Sequence, residues 1–279
     1  MTDSENTPVW FITGCSSGFG RAIVEAVLAA GERVVATARN PAGIADLERA
    51  GSCVVMTLDV TDAAAIARVL NDAARVFGRL DVVVNNAGYG LLGAIEECSD
   101  EQIRRNVETN FFGPLNVIRA ALPIMRAQQR GHIVNISAAA AIANYAGFGM
   151  YGGAKAALEL VSESLRAETH AFGINVTLVE PGPFRTGFIA SGLETASAPI
   201  EAYDGTVRRF GRLLASIDGK QPGDPARAAA AIVAMVRNGE APMRFPLGKY
   251  AVKKLRDKAA ALVREADKWE ALAAGTDFD

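Results

Sequence analysis

The chain has 279 residues, half of them apolar, with 29 basic against 31 acidic side chains and a net charge of −2. That supply of apolar residues excludes a disordered chain, and the charge balance gives no electrostatic footprint for nucleic acid or an anionic membrane. Three scattered cysteines and two histidines, His132 and His170, exclude a disulfide framework and a zinc or histidine-rich metal centre.

Met1 to Pro8 is polar and acidic and lacks the charged-then-apolar pattern of a secretory signal. No apolar run approaches the roughly 18 residues of a spanning helix, so the expectation is a cytoplasmic protein of a reducing compartment. The first strand is expected at Val9–Thr13. It runs into Thr13-Gly14-Cys15-Ser16-Ser17-Gly18-Phe19-Gly20 and a helix over Gly20–Ala30. Glycines at a strand-to-helix junction let backbone N–H groups approach a phosphate, and the helix N-terminus adds partial positive charge. The plainer reading is a tight turn with no ligand.

A second strand, Arg33–Thr37, ends before Ala38 and Arg39. A carboxylate there would bind ribose hydroxyls; with none present, the Arg39 guanidinium suits a 2′-phosphate. A solvated surface arginine is the alternative. A helix is expected at Pro41–Arg49, a strand at Cys53–Thr57 and a helix at Asp62–Phe77. Asp59 and Val60 follow the third strand, where Asp59 can accept from an adenine amino group or simply shape the loop. Strand Asp81–Asn85 ends in Asn85-Asn86-Ala87-Gly88. Small Ala87 and Gly88 would let a flat ring pass the backbone, while the asparagines could equally tie strands together.

The next helix, Ser99–Arg126, opens with Ser99 and Gln102 at capping-box spacing. Strand His132–Ser137, helix Met150–Ala171 and strand Asn175–Val179 follow. These strands are Val- and Ile-rich runs without polar alternation, as expected for strands buried on both faces. The alternation predicts an α/β fold, a doubly wound parallel sheet with helices on both faces. Tyr151 and Lys155 lie four apart on one helix face, where an ammonium can lower a phenol's pKa from about 10.

Beyond Pro181-Gly182-Pro183, residues 187–223 hold scattered glycines and apolar side chains, an insertion expected to act as a substrate lid or loop. A docked outer helix is expected over Asp224–Arg237. A last helix, Lys249–Leu272, carries Val252, Leu255, Ala259, Leu262, Ala266, Trp269 and Leu272 on one stripe. Packing on the body is the favoured reading of that stripe, and a subunit contact the sharper one. The whole chain, 1–279, is expected to be one domain with a core over 8–186 and a helical extension over 224–279.

Taken together, Thr13–Gly20, Asp59-Val60, Asn85–Gly88, Asn110, Tyr151–Lys155 and Pro181-Gly182 resemble the short-chain dehydrogenase/reductase family over about residues 8 to 186. The resemblance implies a Rossmann-type sheet of about seven strands and a nicotinamide cofactor. It implies that Tyr151 is the acid/base, Lys155 its pKa-lowering and ribose-holding partner, and Asn110 the organiser of a water relay to Lys155. It assigns Gly14, Ser16, Ser17, Gly18, Phe19, Gly20, Asp59, Val60, Asn86, Ala87 and Gly88 to the cofactor. It places Thr186 at the nicotinamide amide, with Pro181, Gly182 and Phe184 along the ring. Arg39 resembles the NADP-preferring branch. The implied function is an NADP(H)-dependent oxidoreductase interconverting a ketone or aldehyde and an alcohol. The apolar residues of 187–223 suggest a hydrophobic or aromatic small-molecule substrate, with Ala138 and Phe188 beside it, although a core-covering loop would have the same composition; the resemblance implies a homodimer or homotetramer.

One position departs from the family pattern. The serine usually found thirteen residues before the tyrosine is Ala138 here, and the nearest serine is Ser137. Successive strand side chains face opposite ways, so Ser137 is expected to point away from the pocket. Ala138 is either the natural residue or an introduced change, and it motivates a rival reading: a catalytically weak or silent dinucleotide-binding protein. A third reading is a lyase or epimerase on the same fold.

Overall fold

The computed structural model describes residues 7–239 and 241–278. The polar stretch 1–6, on which part of the amino-terminal expectation rests, lies outside them. Strand β1 (Val9–Ile12) is wholly buried and leads into helix α1 (Gly18–Ala29). Strand β2 (Arg33–Ala38), a 3-10 turn over Pro41–Leu47 and strand β3 (Cys53–Thr57) follow. The stretch expected as an α-helix at Pro41–Arg49 is therefore a tighter turn; Pro41 opens it and Asn40 caps it by accepting from Ala42 N. Helix α2 (Ala63–Phe77) starts on the Asp62 side chain and stops at Gly78, whose φ of 75° closes it in the left-handed region.

Strand β4 (Val82–Asn85) and short strand β5 (Gly90–Leu92) precede helix α3 (Asp100–Val107), which has the full Ser99/Gln102 capping box. The single helix expected over Ser99–Arg126 is interrupted by a π-helical turn at Glu108–Phe112 before helix α4 (Gly113–Gln128). Such bulges arise inside helices frequently at functional sites, and this one carries Asn110. Strand β6 (Gly131–Ile136), the single turn α5 (Ala139–Ile142), helix α6 (Gly149–Thr169) and strand β7 (Ile174–Pro181) complete the expected core.

The sheet has seven parallel strands in the order β3-β2-β1-β4-β6-β7-β9. Its last member, β9 (Arg244–Leu247), pairs with β7 and was missed by the sequence reading, as was the parallel pairing of β5 with β8 (Leu193–Thr195). The strand order reverses between β1 and β4, and the strand ends on either side open the crevice in which α/β folds bind ligands. Two cores flank the sheet. One joins Trp10, Ile12 and Val34 to α1 and to helix α8 (Pro225–Arg237); the other joins Phe11, Val83 and Ile133 to α2 and α4.

The 187–223 segment is more ordered than a loop: it contains β8, short 3-10 and π turns and helix α7 (Arg209–Ile217). The last helix, α9 (Gly248–Ala274), departs from the expected packing. Ala251 is buried and Val252 and Leu255 are half-buried, but Leu262, Trp269 and Leu272 are 52%, 51% and 72% exposed. The apolar stripe meets the body only over its first two turns and then runs into solvent.

Candidate active site

The glycine loop is tied down before it can bind anything. Thr13 Oγ1 accepts from Asn86 N and Ala87 N, both at 3.0 Å. Asn86 Nδ2 returns to Thr13 O at 2.8 Å and Gly14 O at 3.0 Å. Both readings of the asparagines are thus accommodated, because Asn85 Nδ2 also donates to Asn135 Oδ1 at 2.8 Å and joins β4 to β6. Gly14 and Gly18 have φ of 71° and 58°, a region that favours glycine, and a Cβ on Gly20 would collide with Gly14 O and Asn86. Ser16 and Ser17 are exposed at the start of α1, and the Ser17 side chain makes no capping bond, so the first turn's N–H groups are left without a side-chain cap.

A cavity of about 1130 Å³ extends from this loop across the strand ends. Gly14, Ser16, Ser17, Gly18, Phe19, Asp59, Val60, Asn86, Ala87, Gly88, Pro181, Gly182, Phe184 and Thr186 all line it, as do Asn110, Ala138, Tyr151, Lys155 and Phe188. Gly20 sits behind the wall as a packing glycine. Arg39 lies at the far end beside Ala38, exposed to solvent. Asp59 Oδ1 accepts from Thr61 N at 2.9 Å and Thr61 Oγ1 at 2.8 Å, so one of its oxygens shapes the turn. Phe184 meets Phe19 edge-to-face at 5.0 Å and joins the core beneath the loop while keeping a surface on the cavity.

At the centre, Tyr151 and Lys155 are buried on one face of α6. The Tyr151 ring packs between Phe148, at 5.3 Å, and Phe188, at 5.7 Å. Burial pushes its phenol above the ordinary tyrosine range, whereas the sequence had led us to expect lowering by Lys155. Burial also brings the Lys155 ammonium down to about 8, against an opposing pull from Glu159. Desolvation outweighs attraction here because both groups lie out of water. Lys155 Nζ donates to Ile136 O at 2.9 Å.

Asn110, on the π turn, donates to Tyr89 O at 2.9 Å and Asn106 O at 3.0 Å, while its Oδ1 is buried without a partner. A Cβ on Gly88 would sit against this oxygen and 3.3 Å from Lys155 Nζ. Asn110 Oδ1 and the lysine therefore border the same small space. The buried acceptor and glycine cradle fit a bound dinucleotide with an ordered water beside it.

Ala138 has extended backbone (φ −161°, ψ 153°) and faces the cavity. Ser137 also borders the cavity, but its Oγ donates to Glu159 Oε1 at 2.6 Å. The unbroken register therefore turns that hydroxyl toward α6. The sequence reading placed Phe188 beside the substrate but missed how Tyr145, Phe148, Phe210 and Tyr250 join into an aromatic mouth of the cavity. Tyr145 stacks on Phe210 at 4.9 Å, Phe210 meets Phe148 at 5.0 Å, and Tyr250 from α9 hydrogen-bonds Tyr145 through their hydroxyls. Lys254 Nζ lies 3.3 Å from the Tyr145 ring centroid. The only signal for this cluster is the aromatic content of 145–148 and 210; nothing in α9's periodicity singles out Tyr250.

Residues 8–196 match the family described as short chain dehydrogenase. The chain belongs to the short-chain dehydrogenase family. It is 35% identical over 269 residues to oxidoreductase BOA17 of Botryotinia fuckeliana, covering 95% of this chain and 98% of that one. A short-chain dehydrogenase from Streptomyces avermitilis superposes with a TM-score of 0.91 at 42% identity, covering 98% of this chain and all (100%) of that one. Solved family members hold either nucleotide. A Burkholderia phymatum protein in complex with NAD shares the fold at 23% identity, with a TM-score of 0.81 over 95% of each chain. A metagenomic oxidoreductase in complex with NADP is 32% identical, with a TM-score of 0.59 over 62% of this chain and 81% of that one. Among the described residues of this short-chain oxidoreductase, no group of three or more His, Cys, Asp or Glu is placed to hold a metal. No described helix is long and apolar enough to cross a membrane.

Proposed function

We propose that this protein is an NADP(H)-dependent reductase and dehydrogenase interconverting a hydrophobic ketone or aldehyde and its alcohol. The observation that carries the reading is Tyr151 beside Lys155, both buried at the junction of the glycine-lined arm and the aromatic mouth of one cavity. The dinucleotide, when bound, supplies or accepts the hydride. Gly14, Ser16, Ser17 and Gly18 would hold its phosphates with backbone donors, Asp59 and Val60 its adenine, and Pro181, Gly182, Phe184 and Thr186 its nicotinamide end. Tyr151 Oη gives its proton to the carbonyl oxygen in reduction. Lys155 offsets the charge left on the phenolate, and Asn110 Oδ1 anchors the water that returns the proton. Phe148, Phe188, Phe210, Tyr145 and Tyr250 exclude bulk water and favour an apolar substrate.

Arg39 beside Ala38 supports the 2′-phosphorylated nucleotide. A charge-assisted contact is worth roughly 1.5–3 kcal/mol, about ten- to a hundredfold in affinity. Fluorescence titration of NADPH and NADH into the parent and Arg39→Ala tests this directly. We expect NADPH to bind more tightly and Arg39→Ala to erase the difference; equal affinities in the parent overturn it. Ala138 favours a second reading, a dinucleotide-binding protein with weak or no turnover. Binding without turnover on a ketone panel, persisting after Ala138→Ser, would establish that second reading instead.

The 8–186 core would act as the cofactor and catalytic unit, 187–223 as the substrate cover and 224–279 as an outer extension. The protein would work in the cytoplasm as a homodimer or homotetramer, without nucleic acid or membrane as partner. Exposed Phe112 and Leu160, near α4 and on α6, and the solvent-facing stripe of α9 support assembly. Sedimentation showing only monomer at micromolar concentration would refute it.

A further inference from the structure

Behind the cavity wall lies a buried charge cluster that the reaction as described does not use. Glu159 is 4% exposed and Glu180 fully buried (0%). Ser137 Oγ donates to Glu159 Oε1 at 2.6 Å, and Arg244 Nη1 donates to Glu159 Oε2 at 2.6 Å. The same Nη1 reaches Glu180, and Arg244 Nη2 donates to Glu163 Oε1 at 2.7 Å. Both oxygens of Glu159 are thus held, one from β6 and one from β9.

Glu159 follows Lys155 by one helical turn on α6, and the two side chains grip consecutive residues at the end of β6. Lys155 Nζ takes Ile136 O at 2.9 Å, and Glu159 takes the Ser137 hydroxyl. The next residue is Ala138 in the cavity wall. A carboxylate buried this deeply is costly unless its partners compensate it, and here Ser137 and the Arg244 guanidinium on β9 do so, tying the helix that carries Tyr151 and Lys155 to the strand ends.

Resting on the reading of Lys155 as the partner of Tyr151, we propose that Glu159 is a positioning residue for Lys155. Clamped by Ser137 and Arg244, it holds the lysine in register with the end of β6 and places a buried carboxylate one helical turn from the ammonium.

The groups around Lys155 define what a titration should read. Tyr151 and Glu159 lie one turn to either side of it on α6, Ile136 O meets it from β6, uncharged Asn110 borders the same space from the π turn, and Glu180 and Arg244 stand behind from β7 and β9. Burial brings Lys155 down to about 8 and Glu159 opposes that fall. Glu180 is pushed up to about 7, first by burial and then by Glu159. Glu159 stands one turn from Lys155 on the same helix and is the carboxylate that bears on it, whereas Glu180 stands on β7.

The test is a pH titration of Lys155 by NMR of the full chain with carbon-13-labelled lysine, which requires no turnover. Glu159→Gln keeps the shape and removes the charge. The expected result is a fall of about one pH unit in the Lys155 midpoint, tenfold in proton affinity, and a parallel acid shift of the alkaline limb of kcat/KM. Glu180→Gln should move the midpoint by less than about a third of that. If Glu159→Gln does not fold, Glu159→Asp carries the test. Its shorter side chain withdraws from Ser137, and a fall of about threefold in proton affinity is expected. An unmoved Lys155 midpoint in a folded Glu159 variant overturns the proposal, as does an equal effect from Glu180→Gln. If the midpoint shifts as expected while Tyr151→Phe retains full turnover, the functional reading fails and the lysine–carboxylate coupling stands.

Discussion

The two arms of the cavity are built by different means. On the glycine-loop arm, backbone atoms set the shape: Thr13 and Asn86 knit β1 to β4, Gly14 and Gly18 take positive φ, and Gly20 leaves no room for a side chain. On the aromatic arm, side chains from separated segments set it: Tyr145 and Phe148 before and at the start of α6, Phe210 from α7 and Tyr250 from α9. The first arm is anchored to the central strands β1 and β4, whereas the second is packed against a smaller apolar cluster around Leu92, Phe148 and Val207 outside the main sheet. A backbone cradle suits a ligand of constant shape; interlocking side chains can be exchanged without disturbing the sheet. Tyr151 sits where the arms meet, with its helix on the first and its ring packed into the second.

The largest expected effects fall at that junction. Tyr151→Phe removes one hydroxyl and should reduce turnover by about 10²–10⁴-fold, the usual worth of a general acid, with cofactor binding nearly unchanged. Lys155→Ala should damage both, because the ammonium serves the phenol and the ribose. Measuring nucleotide affinity beside kcat for the two variants separates the roles. Equal loss of binding in both would move Tyr151 from chemistry to scaffold.

Next in size is the glycine-loop arm. Gly20→Ala puts a Cβ into Gly14 O and Asn86 Nδ2, and the loop can yield only by breaking its ties to β4. Nucleotide binding should be lost while the far-ultraviolet circular dichroism of the fold is kept. Retained affinity would show that the cradle is less constrained than its contacts imply.

Ala138→Ser then tests the wall between the arms. A hydroxyl there can polarise the carbonyl beside Tyr151, and the expected gain is on the order of 10²-fold in turnover. Ser137→Ala should cost little turnover, since its hydroxyl points to Glu159. The reverse outcome, in which Ser137→Ala kills activity and Ala138→Ser changes nothing, would make Ser137 the working serine.

The same contrast explains which parts could be read from sequence. Strands β1, β2, β4, β6 and β7 announce themselves because central parallel strands are buried on both faces and so are almost continuously apolar. The glycine loop was legible because its chemistry is local, and the direction of Ser137 followed from strand alternation. Strand β9 was not legible: it has four residues, Pro246 among them, as an edge strand tolerates. The π turn at Asn110 has no distinct periodicity, and helix spacing runs through it. Tyr250 and Arg244 reach their partners only through tertiary packing, and α9 was assigned to the body because amphipathicity reports an apolar face but not what covers it.

The smallest expected effect concerns the ties of the aromatic arm. Glu97 Oε1 accepts from Ile200 N at 2.7 Å and Arg208 Nη2 at 2.6 Å, while Oε2 accepts from Ala94 N at 2.8 Å. The Arg208 guanidinium leads in holding this carboxyl down to about 2, against the opposing effect of desolvation, with the two backbone donors assisting. Its folded value lies below its unfolded one, so the stability it contributes is present above the ordinary carboxylate pKa and is lost as pH falls from about 4.5 toward 2. Amide exchange of Ile200 should therefore quicken as pH drops through that window, after correction for intrinsic exchange. Glu97→Gln should give the faster exchange already at pH 7 and flatten the acid dependence. The core strands, which share none of these contacts, should keep their protection in both proteins. If exchange at Ile200 and in β4 instead rises together, the aromatic arm is not a separately opening unit, and its polar ties are part of the global fold.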